Sequence, residues 1–99
     1  MIARIWHGRT TASNADAYLG YLFKSGIPAY RKTIGNRGAW VLRRIDGDTA
    51  HFMTLSFWES RDAIVAFAGT DIEVAKYYAE DEKYLLEFEP TVTHYELFP

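Results

Sequence analysis

Ala39-Trp40-Val41-Leu42-Arg43-Arg44-Ile45-Asp46-Gly47-Asp48-Thr49-Ala50-His51-Phe52-Met53-Thr54-Leu55-Ser56-Phe57-Trp58 reads as two strands folded back on each other, and the rest of the chain arranges itself around them. Asp46-Gly47 is the hairpin signal, expected to form a type I′ turn with positive φ at both central residues. The flanking runs alternate, but neither face is polar. Trp40 and Leu42 oppose Val41 and Ile45, while Met53, Leu55 and Phe57 oppose Phe52 and Trp58. A sheet that is apolar on two sides needs two covers: helices on one side, and something else on the other.

Upstream, residues 2–9 alternate as a first strand, with Ile2, Arg4 and Trp6 set against Ala3, Ile5 and His7. Ser13 and Asp16 form an imperfect capping box for a helix over residues 14–25, whose Tyr18, Leu19, Leu22 and Phe23 share one face. Gly26 is the expected stop, with Pro28 as punctuation and one helical turn at Tyr30-Arg31-Lys32. Downstream, Ser60 caps a second helix with Ala63, Ile64 and Phe67 inward, and Gly69 interrupts it. Thr70 and Glu73 form a capping box that predicts a further helix over residues 71–78. A helical turn is expected around Tyr84 and Leu85, and a last strand over residues 91–98. The order strand, helix, strand, strand, helix, strand is the ferredoxin-like βαββαβ pattern of the α+β class. It predicts a four-stranded antiparallel-mixed sheet of order 4-1-3-2 in one domain, residues 1–99, with the third strand parallel to the first.

Ninety-nine residues with 48% hydrophobic and 24% charged side chains make an ordinary globular composition. The absence of cysteine removes disulfides and thiolate chemistry. Residues 1–50 carry eight Lys/Arg and three Asp/Glu, and residues 51–99 carry three and ten, which accounts for the net charge of −2. The basic residues are scattered over several elements rather than set in a stripe, so nucleic-acid binding is not expected. No run reaches membrane-span length, the start lacks an apolar leader, and a cytoplasmic location is expected. The open apolar sheet face predicts a two-fold homodimer.

Phe57-Trp58-Glu59-Ser60-Arg61-Asp62-Ala63-Ile64 resembles the W-x-S-x-x-A signature of the antibiotic-biosynthesis-monooxygenase superfamily. The turn Gly35-Asn36-Arg37-Gly38, the strand end His7-Gly8-Arg9-Thr10 and the late stretch Tyr77 to Glu82 with Glu89-Pro90 are similar to it as well. The resemblance implies a dimeric α+β barrel with a small-molecule cavity between helices and sheet in each subunit. It implies a cofactor-independent monooxygenase acting on a small aromatic or quinol-type compound, or a non-catalytic homodimer of the same fold that binds a small hydrophobic ligand. Haem-degrading relatives use an Asn near the end of the first strand, a Trp in the helix after the signature and a ligating His ten residues later. The corresponding residues here are His7, Phe67 and Tyr77, so haem chemistry is not expected and no cofactor is required.

Such an oxygenase must hold a ring, remove a proton and stabilise an anion. His7 is the candidate base, set against a structural role on its strand, and Tyr77 is its candidate catalytic companion. Trp58, Phe67, Arg37 and His94 are candidate substrate-binding residues, each with a packing or surface alternative. A three-histidine metal site is not expected, because a parallel third strand would set His51 and His7 near opposite ends of the sheet.

Overall fold

A computed structural model describes residues 1–99. The elements are β1 (Ile2–Thr11), α1 (Ala15–Lys24), α2 (Gly26–Lys32), β2 (Asn36–Asp46), β3 (Thr49–Trp58), α3 (Arg61–Ala68) and β4 (Thr93–Glu96). The four strands lie in the order β2-β3-β1-β4, which is the expected 4-1-3-2 sheet. Every pairing is antiparallel, including β1 with β3. The third strand therefore runs opposite to the first, and Arg9, not a residue at the far end, faces His51.

The central hairpin turns at Gly47-Asp48, with Asp46 and Thr49 still paired. Of these two turn residues only Gly47 has positive φ, at 59°. A glycine alone at the first central position is the type II′ pattern rather than type I′. The first crossover is longer than expected. Ser25 ends α1, donating its hydroxyl to the Tyr21 carbonyl at 2.8 Å, and α2 restarts at once. Gly26 thus begins a helix instead of stopping one, and Pro28 falls in its first turn, where a missing N–H costs nothing. Ser60 caps α3 as expected, its Oγ accepting from Ala63 N at 3.2 Å.

Residues 69–92 contain no α-helix, so the helix expected at 71–78 does not form. This segment, here called the strap, holds one 3₁₀ turn at Asp81–Lys83 and a single bridge between Val74 and Thr91. Its carbonyls are claimed from afar: Arg4 donates to Ile72 O at 2.5 Å and Val74 O at 3.3 Å, and Val92 N donates to Glu73 O at 2.9 Å. Those are oxygens that a helix would need for its own ladder.

Helices and strap cover one face of the sheet. Along β3, Ala50, Phe52, Thr54, Ser56 and Trp58 are buried there, joined by Ile27 and Ile64 in a core of sixteen buried apolar residues. The opposite face carries Trp40 (51% exposed), Leu42 (48%) and Tyr95 (57%), with Met53 between them. No helix is long and apolar enough to cross a membrane.

Candidate active site

Alternation along β1 sends Arg4, Trp6 and Gly8 toward the helices and Ile5, His7 and Arg9 toward the other face. The Trp6 indole lies over Gly8: a Cβ at Gly8 would come within 2.3 Å of the ring. Trp6 thus forms the floor of a small cavity. Tyr18 and Leu22, one turn apart on α1, make one wall, and Gly26 and Tyr30 of α2 make another. Thr54 of β3 joins the floor, its Oγ1 2.9 Å from the Tyr30 hydroxyl. Lys76, Tyr77, Tyr78 and Asp81 of the strap close the top. The free space is about 20 Å³. That holds roughly one water.

The hydrogen bonds fix the aromatic wall. Trp6 Nε1 donates to the Tyr77 hydroxyl at 3.2 Å, which donates to the Glu89 carbonyl at 2.5 Å. Asp81 is 3% exposed. Its Oδ2 accepts from Tyr78 N at 2.6 Å, while its Oδ1 has only the Tyr18 hydroxyl at 3.4 Å. Burial holds the Asp81 carboxyl above the usual carboxylate value, against its two hydrogen bonds. Burial also raises the Tyr18 hydroxyl, helped by Asp81, and pushes Tyr78 up to about 12. The Tyr78 hydroxyl is buried with no partner.

Arg4 lies deeper, 1% exposed, on strap carbonyls and on His94 Nε2 at 3.0 Å. Since Arg4 donates, His94 Nε2 accepts and the ring proton sits on Nδ1, facing Glu73 Oε1 at a long 3.5 Å. Burial first, then Arg4, holds His94 below its ordinary value.

Of the six candidate catalytic and substrate-binding residues, only Tyr77 lines the cavity. His7, expected to face it, lies on the opposite face because its neighbour Trp6 takes the inward position. There it pairs with the Glu89 carboxylate and stacks on His51, Nε2 to Nδ1 at 3.4 Å. The two histidines expected at opposite ends are thus adjacent, although no group of three potential metal ligands converges. Glu89 links His7 to Tyr77, taking one by its carboxylate and the other by its carbonyl. Trp58 is fully buried, its Nε1 on Ser56 Oγ at 2.9 Å, and Phe67 stacks on Tyr30 with ring centroids 4.6 Å apart. Arg37 pairs with Glu59 on the surface, and His94 stands behind Arg4. Sequence reading missed Trp6, Tyr30, Tyr78 and Asp81; Asp81 lies between Glu80 and Glu82, where charge alone points to solvent. The available signal was Tyr18 on the inner face of α1, which needs a polar partner once buried.

The whole chain superposes on a protein from Nitrosomonas europaea provisionally described as an antibiotic biosynthesis monooxygenase, with a TM-score of 0.69, 16% identity and 100% of both chains covered. The chain carries the antibiotic-biosynthesis-monooxygenase fold. The heme-degrader MhuD from Mycobacterium tuberculosis, with two hemes bound in its active site, matches at a TM-score of 0.60 and 20% identity over 98% of this chain and 95% of that one. Rv0793 from the same organism matches at 0.59 and 18% over 100% and 97%. No family model and no curated protein sequence matches the chain.

Within this monooxygenase-type fold, the residues present do not fit haem. Phe67 is packed in the core, and the Tyr77 hydroxyl is committed to Trp6 and Glu89.

Proposed function

We propose that this chain is a cofactor-independent monooxygenase that forms a two-fold homodimer through its open sheet face and oxidises a small aromatic or quinol-type compound in the cavity beneath the strap. The observation that carries this reading is the cavity lining: Trp6, Tyr18, Tyr30, Tyr77 and Tyr78 surround one buried carboxylate. Ring faces there clamp a ring, and their polar tips orient its oxygens. Tyr77, fixed by two hydrogen bonds, is the wall residue expected to touch the ligand. The exposed Trp40, Leu42 and Tyr95 support the dimer, since closing that face against a copy removes an apolar patch from water.

The test is oxygen uptake against a panel of naphthols, anthrones and quinols, with Tyr77→Phe as the control. Uptake on at least one compound, lowered in that variant, is the expected result. Absence of uptake across the panel would sink the catalytic reading. The second reading, a non-catalytic dimer that binds a small hydrophobic ligand, is favoured by the commitment of the Tyr77 hydroxyl to Trp6 and to the Glu89 carbonyl, which leaves it no proton to give. Saturable quenching of tryptophan fluorescence by the same compounds without oxygen uptake would select it.

A further inference from the structure

A ligand of this cavity becomes easy to oxidise once an acidic O–H has lost its proton, and the cavity must supply the acceptor. No histidine does so, since none is among its lining residues. The lining tyrosines Tyr18, Tyr30, Tyr77 and Tyr78 are donors, each made harder to ionise by burial. Lys76 donates its Nζ to the Phe67 carbonyl at 3.2 Å and has no lone pair to offer as an ammonium. Asp81 is the one lining group that both carries a negative charge and accepts. Its Oδ1 is underused, holding a single 3.4 Å contact to Tyr18, while Oδ2 is tied to the turn at Tyr78 N.

We infer that Asp81 is the proton acceptor of this cavity, and that the ligand it selects carries a phenolic or enolic hydroxyl presented to Oδ1. The inference rests on the cavity being the ligand site. In the step, the ligand O–H bond breaks and an Oδ1–H bond forms. The electron pair stays on the ligand oxygen, giving a phenolate beside a neutral carboxylic acid. The step moves charge from a localised, desolvated carboxylate onto a delocalised ring, the direction that burial of Asp81 favours. Tyr78, with a buried and unpartnered hydroxyl in the same lining, is the donor available to the new anion. Arg4 and Lys76 add positive potential around Tyr30 and Tyr78. The titratable groups that act on Asp81 are Tyr18 from α1, Tyr30 from α2, and Tyr77 and Tyr78 from the strap, with Lys76 in the same lining.

The experiment uses 4-nitrophenol and its methyl ether, 4-nitroanisole, with the wild-type chain, Asp81→Asn and Tyr78→Phe. Asp81→Asn keeps an oxygen for Tyr78 N and removes a buried charge, so it should fold, as near-ultraviolet dichroism would report. The wild type should bind the phenol about tenfold tighter than the ether, as a hydrogen bond to a charged acceptor requires. Bound phenol should show phenolate absorbance below the pH at which the free compound ionises. In Asp81→Asn the preference should fall toward parity and the phenolate band should disappear. In Tyr78→Phe the band should weaken while the preference remains. Equal binding of phenol and ether, or a phenolate band that persists in Asp81→Asn, overturns the role of Asp81 and leaves the cavity reading intact. Failure of both compounds to bind the wild type overturns the cavity reading itself, and the inference with it.

Discussion

Trp6 and His7 are adjacent on one strand, and which of them faces the helices decides the chemistry of the site. The sequence marks them as opposite without saying which is inward, because Ile2 and Ile5 make both sides of β1 apolar. The neighbour Gly8 holds the missing information: only a side chain without Cβ lets the Trp6 ring lie across it. Gly8→Ala should therefore force the indole to move, lowering stability by about 1–3 kcal/mol as an overpacked core site does. The check is the urea midpoint together with the near-ultraviolet tryptophan signal. His94 gives a second prediction. Its value in the folded chain lies below the ordinary 6.5, under burial and Arg4 and against the weaker pull of Glu73. The unfolded chain then binds a proton that the folded chain resists. Stability is thus full above about pH 6.5 and declines as pH falls toward the depressed value. His94→Asn should flatten that slope in urea titrations run from about pH 5 to about pH 8.

Local signals held where an element could satisfy its own backbone, and failed where distant groups competed for it. Ser60 before α3 was legible, and Ser60→Ala should cost about 1 kcal/mol in thermal or urea unfolding. Thr70 and Glu73 give an equally good capping pattern, yet no helix follows. Arg4, sixty-eight residues away from Ile72, takes the carbonyl that the first turn would use. A buried guanidinium needs those oxygens more than the strap needs a helix. The site suffers from the same long-range effect. Asp81 sits in an acidic run that reads as surface, and only Tyr18 and the turn at Tyr78 draw it inward. With so few backbone bonds of its own, the strap should open more readily than the sheet. Hydrogen exchange should show amides of residues 76–84 exchanging well before those of β1 and β3. Equal protection would contradict entry beneath the strap.

The order of strands and helices was readable for the sheet and its two crossovers, since alternation and turn chemistry are local, and the antiparallel pairing of β1 with β3 was implied by it, because a helical crossover returns β2 parallel to β1 and the hairpin then reverses β3. At this scale the open face makes the prediction. Leu42→Glu, on exposed β2, should convert a dimer to a monomer in sedimentation at micromolar concentration, with the fold retained by circular dichroism. A wild type that sediments as a monomer would remove the dimer from the proposal. The other boundary of the sheet has its own consequence. β4 pairs only with Ile2–Ile5 of β1, and past that point residues 86–89 take over: Leu86 N bonds Arg9 O at 2.9 Å, Glu87 meets Arg9, and Glu89 meets His7. The Arg9–Glu87 ion pair and the His7–Glu89 hydrogen bond thus shield the bare rim of a strand that would otherwise recruit foreign strands. Concentrated salt, or Glu87→Gln with Glu89→Gln, should make this chain prone to fibrous self-association that dilute buffer suppresses.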